Sequence, residues 1–251
     1  MDNVSREHLD RAVVVWITRV SQAPDPLGVL DPLLDDRDRE RAARFRFDED
    51  RARFVLGRSL IRKSLGLYLG QKPEAIKLAD GGRGRPVFAD DATIQFSISH
   101  TRDIVAIALT AGARVGIDFE FVKPAVDLSE LAERILSEDD LRKFQSFPRH
   151  EAVTAFFRAW TRKEAYLKAC SEGIADGLKL VSVSFGPEEI SSLADARDEA
   201  AERTWRLHNL TVSKEYMGAV ACDAPDRPID CSNLELKKDA GNTDTKLTSL
   251  A

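Results

Sequence analysis

The alternation of apolar and polar residues along the chain predicts two helical regions set among strands. Residues 12–17 are all apolar and rich in β-branched side chains, which predicts a buried strand. Residues 35–67 repeat apolar side chains at helical spacing and predict two helical segments that end at Gly66. Residues 131–172 show the same spacing and predict a second helical region, with a break near Pro148.

Further strands, one turn and a polar tail complete the chain. The glycine-rich residues 81–86 predict a turn. After Pro225 the composition becomes polar, so residues 226–251 are predicted to form a frayed, disordered tail. Helices and strands that follow one another in this way predict an α+β fold. The predicted strands cover residues 94–99, 104–109, 115–120, 178–185, 204–212 and 216–222.

The two halves of the chain resemble each other at a shift of 102 residues. The repeat predicts two similar α+β halves, residues 1–112 and 113–225, related by a pseudo-twofold axis with a ligand cleft between them. Chance matching of amphipathic helices is the alternative explanation. The matched pairs are Leu34/Leu136, Arg41/Lys143, Phe45/Phe147, Glu49/Glu151, Phe54/Phe156, Ser59/Thr161 and Leu65/Leu167.

Composition excludes some classes of protein. The 251 residues are 43% hydrophobic and 31% charged, which is ordinary for a globular protein with a sizeable core. The net charge of −5 disfavours a nucleic-acid binder. Three cysteines without paired spacing and four scattered histidines argue against disulfides and a zinc site. With no apolar run long enough for a signal or a membrane span, we expect a cytoplasmic protein that contacts no membrane.

Two acidic residues of the predicted strand over residues 115–120 are candidates for chemistry. On a strand, Asp118 and Glu120 point the same way, with Ile117 and Phe119 on the other side. Carboxylate oxygens with open coordination positions suit Mg²⁺, which also takes phosphate oxygens from a substrate. The alternative is that the two acids line the solvent face of an edge strand.

A helical segment offers a third carboxylate and a lysine. Trp160, Glu164 and Lys168 fall at i, i+4 and i+8 and therefore share one helix face. Together with the strand acids, these residues predict a divalent-metal site beside a proton-transfer pair, which suits phosphoryl chemistry. The alternatives are a surface pair of Glu164 with Lys168, and a solvated basic face at Arg158, Arg162 and Lys163.

Basic residues upstream form a candidate phosphate site. Arginines recur from Arg37 to Arg62 on helical segments, and their planar guanidinium groups bind phosphate bidentately. Interleaved acids leave an ordinary solvated face as the alternative. Arg85 lies in a rigid turn, and Ser99 and His100 end a predicted strand, where they would hydrogen-bond a phosphate or a sugar unless the histidine is structural.

In this order, four segments resemble the 4′-phosphopantetheinyl transferase superfamily, specifically its monomeric surfactin-synthetase-activator type. The resemblance spans about residues 10–225 and implies two similar α+β halves with coenzyme A in the cleft. It also implies transfer of the phosphopantetheine arm from coenzyme A to a carrier-protein serine, releasing adenosine 3′,5′-bisphosphate. The matching segments are Gly84-Arg85-Pro86, Phe96-Ser97-Ile98-Ser99-His100-Thr101, Gly116-Ile117-Asp118-Phe119-Glu120 and Trp160-Thr161-Arg162-Lys163-Glu164-Ala165.

The resemblance implies roles for individual residues. The Mg²⁺ ligands (Mn²⁺ is an alternative ion) would be Asp118, Glu120 and Glu164. Glu164 would also be the base for the carrier serine, and Lys168 would stabilise the diphosphate charge. Coenzyme A would further contact Arg41 and Arg53, as a clamp on its 3′-phosphate, and Gly84, Arg85, Pro86, Ser99 and His100.

The chain departs from the family pattern at three positions. Asp38 stands where relatives can carry a lysine, so that Arg37 or Arg39 would have to substitute. Ser97 replaces a common asparagine, and Arg85 replaces lysine. These changes affect the expected phosphate contacts more than the expected chemistry.

The resemblance also implies partners. They are apo forms of acyl, peptidyl or polyketide carrier proteins, in secondary metabolism, served by a monomeric enzyme. The alternative from another class is a non-catalytic module that binds coenzyme A or nucleotide phosphates through its arginines. An RNA-binding protein is a weaker alternative, because no aromatic side chains form a platform among the basic residues.

Overall fold

The computed structural model of the chain describes residues 5–23, 27, 31–82, 84–123, 128–171, 177–239 and 242–250. The chain forms two compact units. The first comprises Met1–Gly112 and Pro228–Ala251, and the second comprises Ala113–Arg227. Each unit combines a sheet with one long helix, which confirms the predicted α+β class. Among the residues described, no helix is long and apolar enough to cross a membrane.

The first unit is built on a five-stranded sheet. Its elements are α1 (Arg6–Arg11), β1 (Val13–Arg19), α2 (Asp36–Ala43), α3 (Asp48–Leu69), β2 (Leu78–Asp80), β3 (Pro86–Phe88), β4 (Ile94–Thr101), β5 (Ile104–Ala111), β12 (Ile229–Asp239) and β13 (Asn242–Leu250). The strand order of the sheet is β13-β12-β1-β5-β4, and helix α3 packs on it, with Leu60 and Ile61 in the same core as Val105 and Ile107 of β5. A separate hairpin, β2–β3, carries the predicted turn.

The second unit carries a four-stranded antiparallel sheet. Its elements are β6 (Val115–Phe121), α4 (Ser129–Ile135), α5 (Glu138–Gln145), α6 (Arg149–Ala169), β7 (Val181–Val183), β8 (Ile190–Ser191), β9 (Leu193–Asp195), α7 (Ala201–Thr204), β10 (Arg206–Ser213) and β11 (Tyr216–Cys222). The strand order of the sheet is β6-β11-β10-β8. Helix α6 covers one face of this sheet, and Phe156 and Leu167 share a core with Ala219 and Ala221 of β11.

Helix bounds follow the sequence repeat closely. A shift of 102 residues carries the bounds of α2 onto residues 138–145, which are the bounds of α5. The same shift matches the N-cap residues: the side chain of Asp35 accepts a hydrogen bond from the backbone N–H of Asp38, and Ser137 accepts one from Asp140. Two similar helix pairs, one in each unit, therefore repeat the same local architecture.

Two local predictions are wrong. Helix α3 continues beyond Gly66 to Leu69 and ends where Gly70 takes the left-handed conformation, with φ 63°. The other concerns residues 226–251: β12 pairs in parallel with β1, from Val13 opposite Ile229 to Ile17 opposite Asn233. The polar composition does not predict this strand, because backbone hydrogen bonds to β1, rather than apolar side chains, hold it in place.

Candidate active site

Strand β6 places Asp118 and Glu120 on one face, as the alternation predicts. Asp118 is only 3% exposed, which excludes the solvent-face alternative for this residue. The face is covered by helix α6, because Gly116 lets the two backbones touch. A Cβ built on Gly116 would lie 2.0 Å from the carbonyl oxygen of Ala165 and 2.6 Å from the amide nitrogen of Ala169.

Helix α6 turns Glu164 and Lys168 toward this strand. Glu164 is 5% exposed, and the Lys168 ammonium lies 2.5 Å from Oδ1 of Asp118. The helix thus supplies a buried acid and a partly buried cation one turn apart, and the cation binds the strand carboxylate. An ordinary surface pair of Glu164 with Lys168, the alternative drawn from the sequence, does not describe this arrangement.

The charged side chains of this cluster shift one another's pKa values. Burial raises the pKa of Glu164 to about 7, and the charges of Asp118 and Glu120 add to the rise while Lys168 opposes it. Burial alone would lower the pKa of Lys168, but the three carboxylates, Asp118 first, outweigh burial and raise that pKa. The acids of strand and helix therefore interact directly, and Glu164 changes charge near neutral pH.

The side-chain types in this cluster suit a hard divalent cation. Mg²⁺ prefers oxygen ligands, and three carboxylates would leave coordination positions for water and phosphate. Within the described residues, no group of three or more His, Cys, Asp or Glu side chains lies close enough together to hold a metal ion. The ammonium of Lys168 lies instead against Oδ1 of Asp118.

Other sides of α6 carry charges for which the sequence left a solvated face as the alternative. Arg162 and Lys163 have fully buried side chains, which excludes that alternative for both residues. Lys163 forms an ion pair with Asp140, which sequence reasoning did not single out. The one local signal for Asp140 is its place in the first turn of α5, where acids are also common on the surface.

A basic cavity in the first unit gathers several predicted phosphate ligands. Its volume is about 580 Å³, and its lining residues are Arg37, Glu40, Arg41, Arg44 and Phe45. The Arg41 guanidinium donates to the carbonyl of Gly84 at 3.1 Å. A smaller cavity brings Arg41 together with the predicted turn residues Gly84, Arg85 and Pro86. The structure thus assembles four of the predicted nucleotide contacts around one cluster of arginines.

The other predicted contacts of this unit lie elsewhere. Arg53 donates to the carbonyl of Arg102 at 2.8 Å and pairs with Asp50, and it is not among the residues that line these two cavities. Ser99 is buried on β4, whereas the adjacent His100 is exposed. Neighbouring residues of a strand face opposite sides, so these two side chains do not converge.

Asp38 has a structural partner rather than a phosphate. Its carboxylate is buried and lies 3.2 Å from Arg58 and 2.8 Å from Arg62, which ties α2 to α3. Of its two neighbours, Arg37 lines both cavities, whereas Arg39 pairs with Asp36. Arg37 is therefore the better placed of the two proposed substitutes for the missing lysine.

Comparison with known proteins identifies the family. The family model for the 4′-phosphopantetheinyl transferase superfamily matches residues 114–221, and the model described as 4′-phosphopantetheinyl transferase, N-terminal, matches residues 27–111. The 4′-phosphopantetheinyl transferase HetI of Nostoc sp. is 33% identical over 216 residues, which cover 85% of this chain and 88% of that protein.

Two further relatives carry the same description. The 4′-phosphopantetheinyl transferase psf-1 of Bacillus pumilus is 37% identical over 59% of this chain and 63% of its own length. The 4′-phosphopantetheinyl transferase AcpT of Escherichia coli K12 is 30% identical over 63% of this chain and 71% of its own length. The chain therefore belongs to the 4′-phosphopantetheinyl transferase superfamily, a family of enzymes, and the resemblance of its motifs to that superfamily is confirmed.

Proposed function

We propose that the chain transfers the 4′-phosphopantetheine arm of coenzyme A to a serine of an apo-carrier protein and releases adenosine 3′,5′-bisphosphate. The observation that carries the proposal is the buried cluster in which Lys168 binds Asp118 beside Glu164. The names of its relatives support the same transfer. Acyl, peptidyl and polyketide carriers are the candidate acceptors, with a role in secondary metabolism.

In this proposal Asp118, Glu120 and Glu164 hold Mg²⁺, or Mn²⁺ in its place. The ion would supply charge compensation for the coenzyme A diphosphate. Support comes from the donor set of three interacting carboxylates, two of them almost fully buried. Low exposure strengthens the attraction between these acids and a cation, because little water screens it.

Glu164 is proposed as the base that accepts the proton of the carrier serine, directly or through a water molecule. Burial raises the pKa of Glu164 to about 7 before a cation binds, and a bound Mg²⁺ would lower it, so that the carboxylate would be ionised and able to accept the proton. Lys168 is proposed to balance the charge that grows on the departing bisphosphate oxygen. Its raised pKa keeps the ammonium protonated through the neutral range.

The arginine cluster of the first unit is proposed to bind the 3′-phosphate of coenzyme A. Arg41, supported by Arg37 and Arg85, offers guanidinium groups suited to bidentate phosphate contacts. Arg53 donates a hydrogen bond to the carbonyl of Arg102 in the turn after β4. Its proposed role is therefore indirect: it supports this turn and does not contact the phosphate itself. Contacts from Ser99 and His100 stay predictions.

The decisive experiment incubates the protein with apo-carrier, coenzyme A and Mg²⁺ and follows the carrier by intact-mass spectrometry. We expect the carrier to gain the mass of one phosphopantetheine. Glu164→Gln should lose most turnover and keep most coenzyme A binding, whereas Glu74→Gln, at an exposed site of the first unit, should match the wild type. Carrier loading by Glu164→Gln at the wild-type rate would refute the proposed base.

A second candidate is a non-catalytic module that binds coenzyme A or nucleotide phosphates. The observation that favours it is the cavity lined by Arg37, Arg41 and Arg44, which belongs to the first unit alone. This candidate predicts coenzyme A binding that does not depend on Mg²⁺, with no mass gain on any carrier. The loading assay therefore separates the two candidates.

We further propose that the enzyme is a cytoplasmic monomer.

A further inference from the structure

Helix α6 presents charged side chains in three directions within one turn. Successive helical residues are rotated by about 100°, so Arg162, Lys163 and Glu164 leave the helix on three different sides. Glu164 and Lys168 face strand β6. The two preceding cations, both fully buried, therefore bind other parts of the second unit.

Arg162 forms hydrogen bonds with the segment between β7 and β8. Its guanidinium donates to the carbonyl oxygens of Ser184 at 2.6 Å, Gly186 at 3.1 Å and Glu188 at 3.0 Å. Nε donates to the side-chain oxygen of Asn209 at 3.1 Å. One planar group that spans three backbone carbonyls fixes the direction in which this side of the helix points.

Lys163 attaches another side of the helix to α5. Its ammonium lies 3.1 Å from Oδ2 of Asp140 and donates to the carbonyls of Leu178 at 3.0 Å and Ile135 at 3.3 Å. Both charged side chains are 0% exposed. The cost of removing both charges from water offsets most of the attraction between them. A buried pair of this kind therefore contributes little net stability, and its presence calls for another explanation.

Small rotations of α6 would misplace the reacting groups. A carboxylate lies roughly 6 Å from its helix axis, so a rotation of about 15° moves it by roughly 1.5 Å. A displacement of about 1 Å can cost roughly a hundredfold in rate. The backbone contact at Gly116 fixes the distance between helix and strand, but it leaves the rotation about the helix axis to side-chain contacts.

We infer that Arg162 and the Lys163–Asp140 pair are positioning residues, which fix the rotation of α6 about its axis and so aim Glu164 and Lys168 at Asp118. The rate effect expected below rests on the proposed function. The inferred orientation of α6 does not depend on that function, because it can be measured in the metal-free protein without substrate.

The test compares Arg162→Met and the double variant Asp140→Leu/Lys163→Met with the wild type. The double variant replaces both buried charges, because Lys163→Met alone would leave the Asp140 carboxylate buried without its cation. Arg149→Met, at the exposed start of the same helix, is the matched control. Thermal unfolding shows which variants are folded.

Two readouts distinguish positioning from simple stability. The first is the NMR nuclear Overhauser effect between the Gly116 Hα protons and the Ala169 methyl group, which are in contact across helix and strand. The second is the pair of constants kcat and KM for carrier loading. We expect folded variants to lose much of the Overhauser effect and at least about tenfold in kcat, with KM for coenzyme A changed by less than about threefold. The control should match the wild type.

Folded variants with the wild-type Overhauser effect and kcat would overturn the inference. If either variant fails to fold, Arg162→Lys replaces it, because lysine keeps the charge but cannot span three carbonyls. A wild-type Overhauser effect and kcat for that variant would equally overturn the inference. A wild-type protein that loads no carrier would refute the proposed function, while the Overhauser effect would still decide the rotation.

Discussion

Replacing Gly116 by alanine should damage the site without touching any of its charged groups. Gly116 lies two residues before Asp118 on the face of β6 that α6 covers. The added Cβ would meet the Ala165 oxygen at 2.0 Å and the Ala169 nitrogen at 2.6 Å, and Cβ contacts below 3.0 Å are essentially never seen. Both neighbours are backbone atoms, so the helix itself has to retreat by at least about 1 Å.

The expected effects on rate and on stability are of similar size in free energy, because a hundredfold loss in rate corresponds to about 2.7 kcal/mol. Overpacking of this kind typically costs about 1–3 kcal/mol, which corresponds to a fall in Tm of roughly 2–12 °C for a chain of this size. The helix carries Glu164 and Lys168 away with it, and a shift of about 1 Å should lower kcat roughly a hundredfold. Differential scanning calorimetry and the carrier-loading assay measure the two effects.

Gly57 provides the matched control, because it is a buried glycine in the long helix of the other unit. A Cβ there would meet only Ile98 and Val105, at 3.6 and 3.7 Å, which is ordinary contact. Gly57→Ala should therefore leave kcat unchanged and hold or raise Tm, since alanine is the better helix former by about 1 kcal/mol. Wild-type kcat and Tm for Gly116→Ala would refute the argument that backbone contact positions the site.

Three further predictions concern pH, phosphate binding and stability. Because the folded-state pKa of Glu164 is raised from 4.5 to about 7, the stability of the metal-free protein should fall as the pH rises through that window. Mn²⁺ binding, measured by calorimetry, should strengthen over the upper part of the same window and level off above pH 7, and affinity independent of pH would contradict the assignment. Arg37→Gln should weaken coenzyme A binding roughly tenfold in a salt-dependent way, whereas Arg39→Gln, whose guanidinium pairs outside the cavity, should not; equal effects would argue against the cavity as the phosphate site. Asp38→Ala should destabilise the protein by roughly 3–5 kcal/mol in denaturant unfolding, because the buried Arg58 loses its carboxylate partner and the buried Arg62 keeps only that of Asp35; a change below about 1 kcal/mol would show that water already compensates Arg58.

The sequence determined much of the local structure and the chemistry of the site. Apolar periodicity predicted the long helices and the principal strands because it depends on residues close together in the chain. The spacing of Asp118 with Glu120, and of Glu164 with Lys168, set which side chains share a face before any packing was known. The motifs, read together, also identified the family.

Which charges are buried, and which groups meet, depends on contacts between elements that are distant in the chain. Arg162, Lys163 and Asp38 each look like surface residues in sequence, because their partners lie on other elements and burial depends on those elements. The pairing of β12 with β1 likewise joins residues more than two hundred positions apart. Local periodicity reports which side of an element is apolar, whereas the neighbours that cover each side are set by packing across the whole chain.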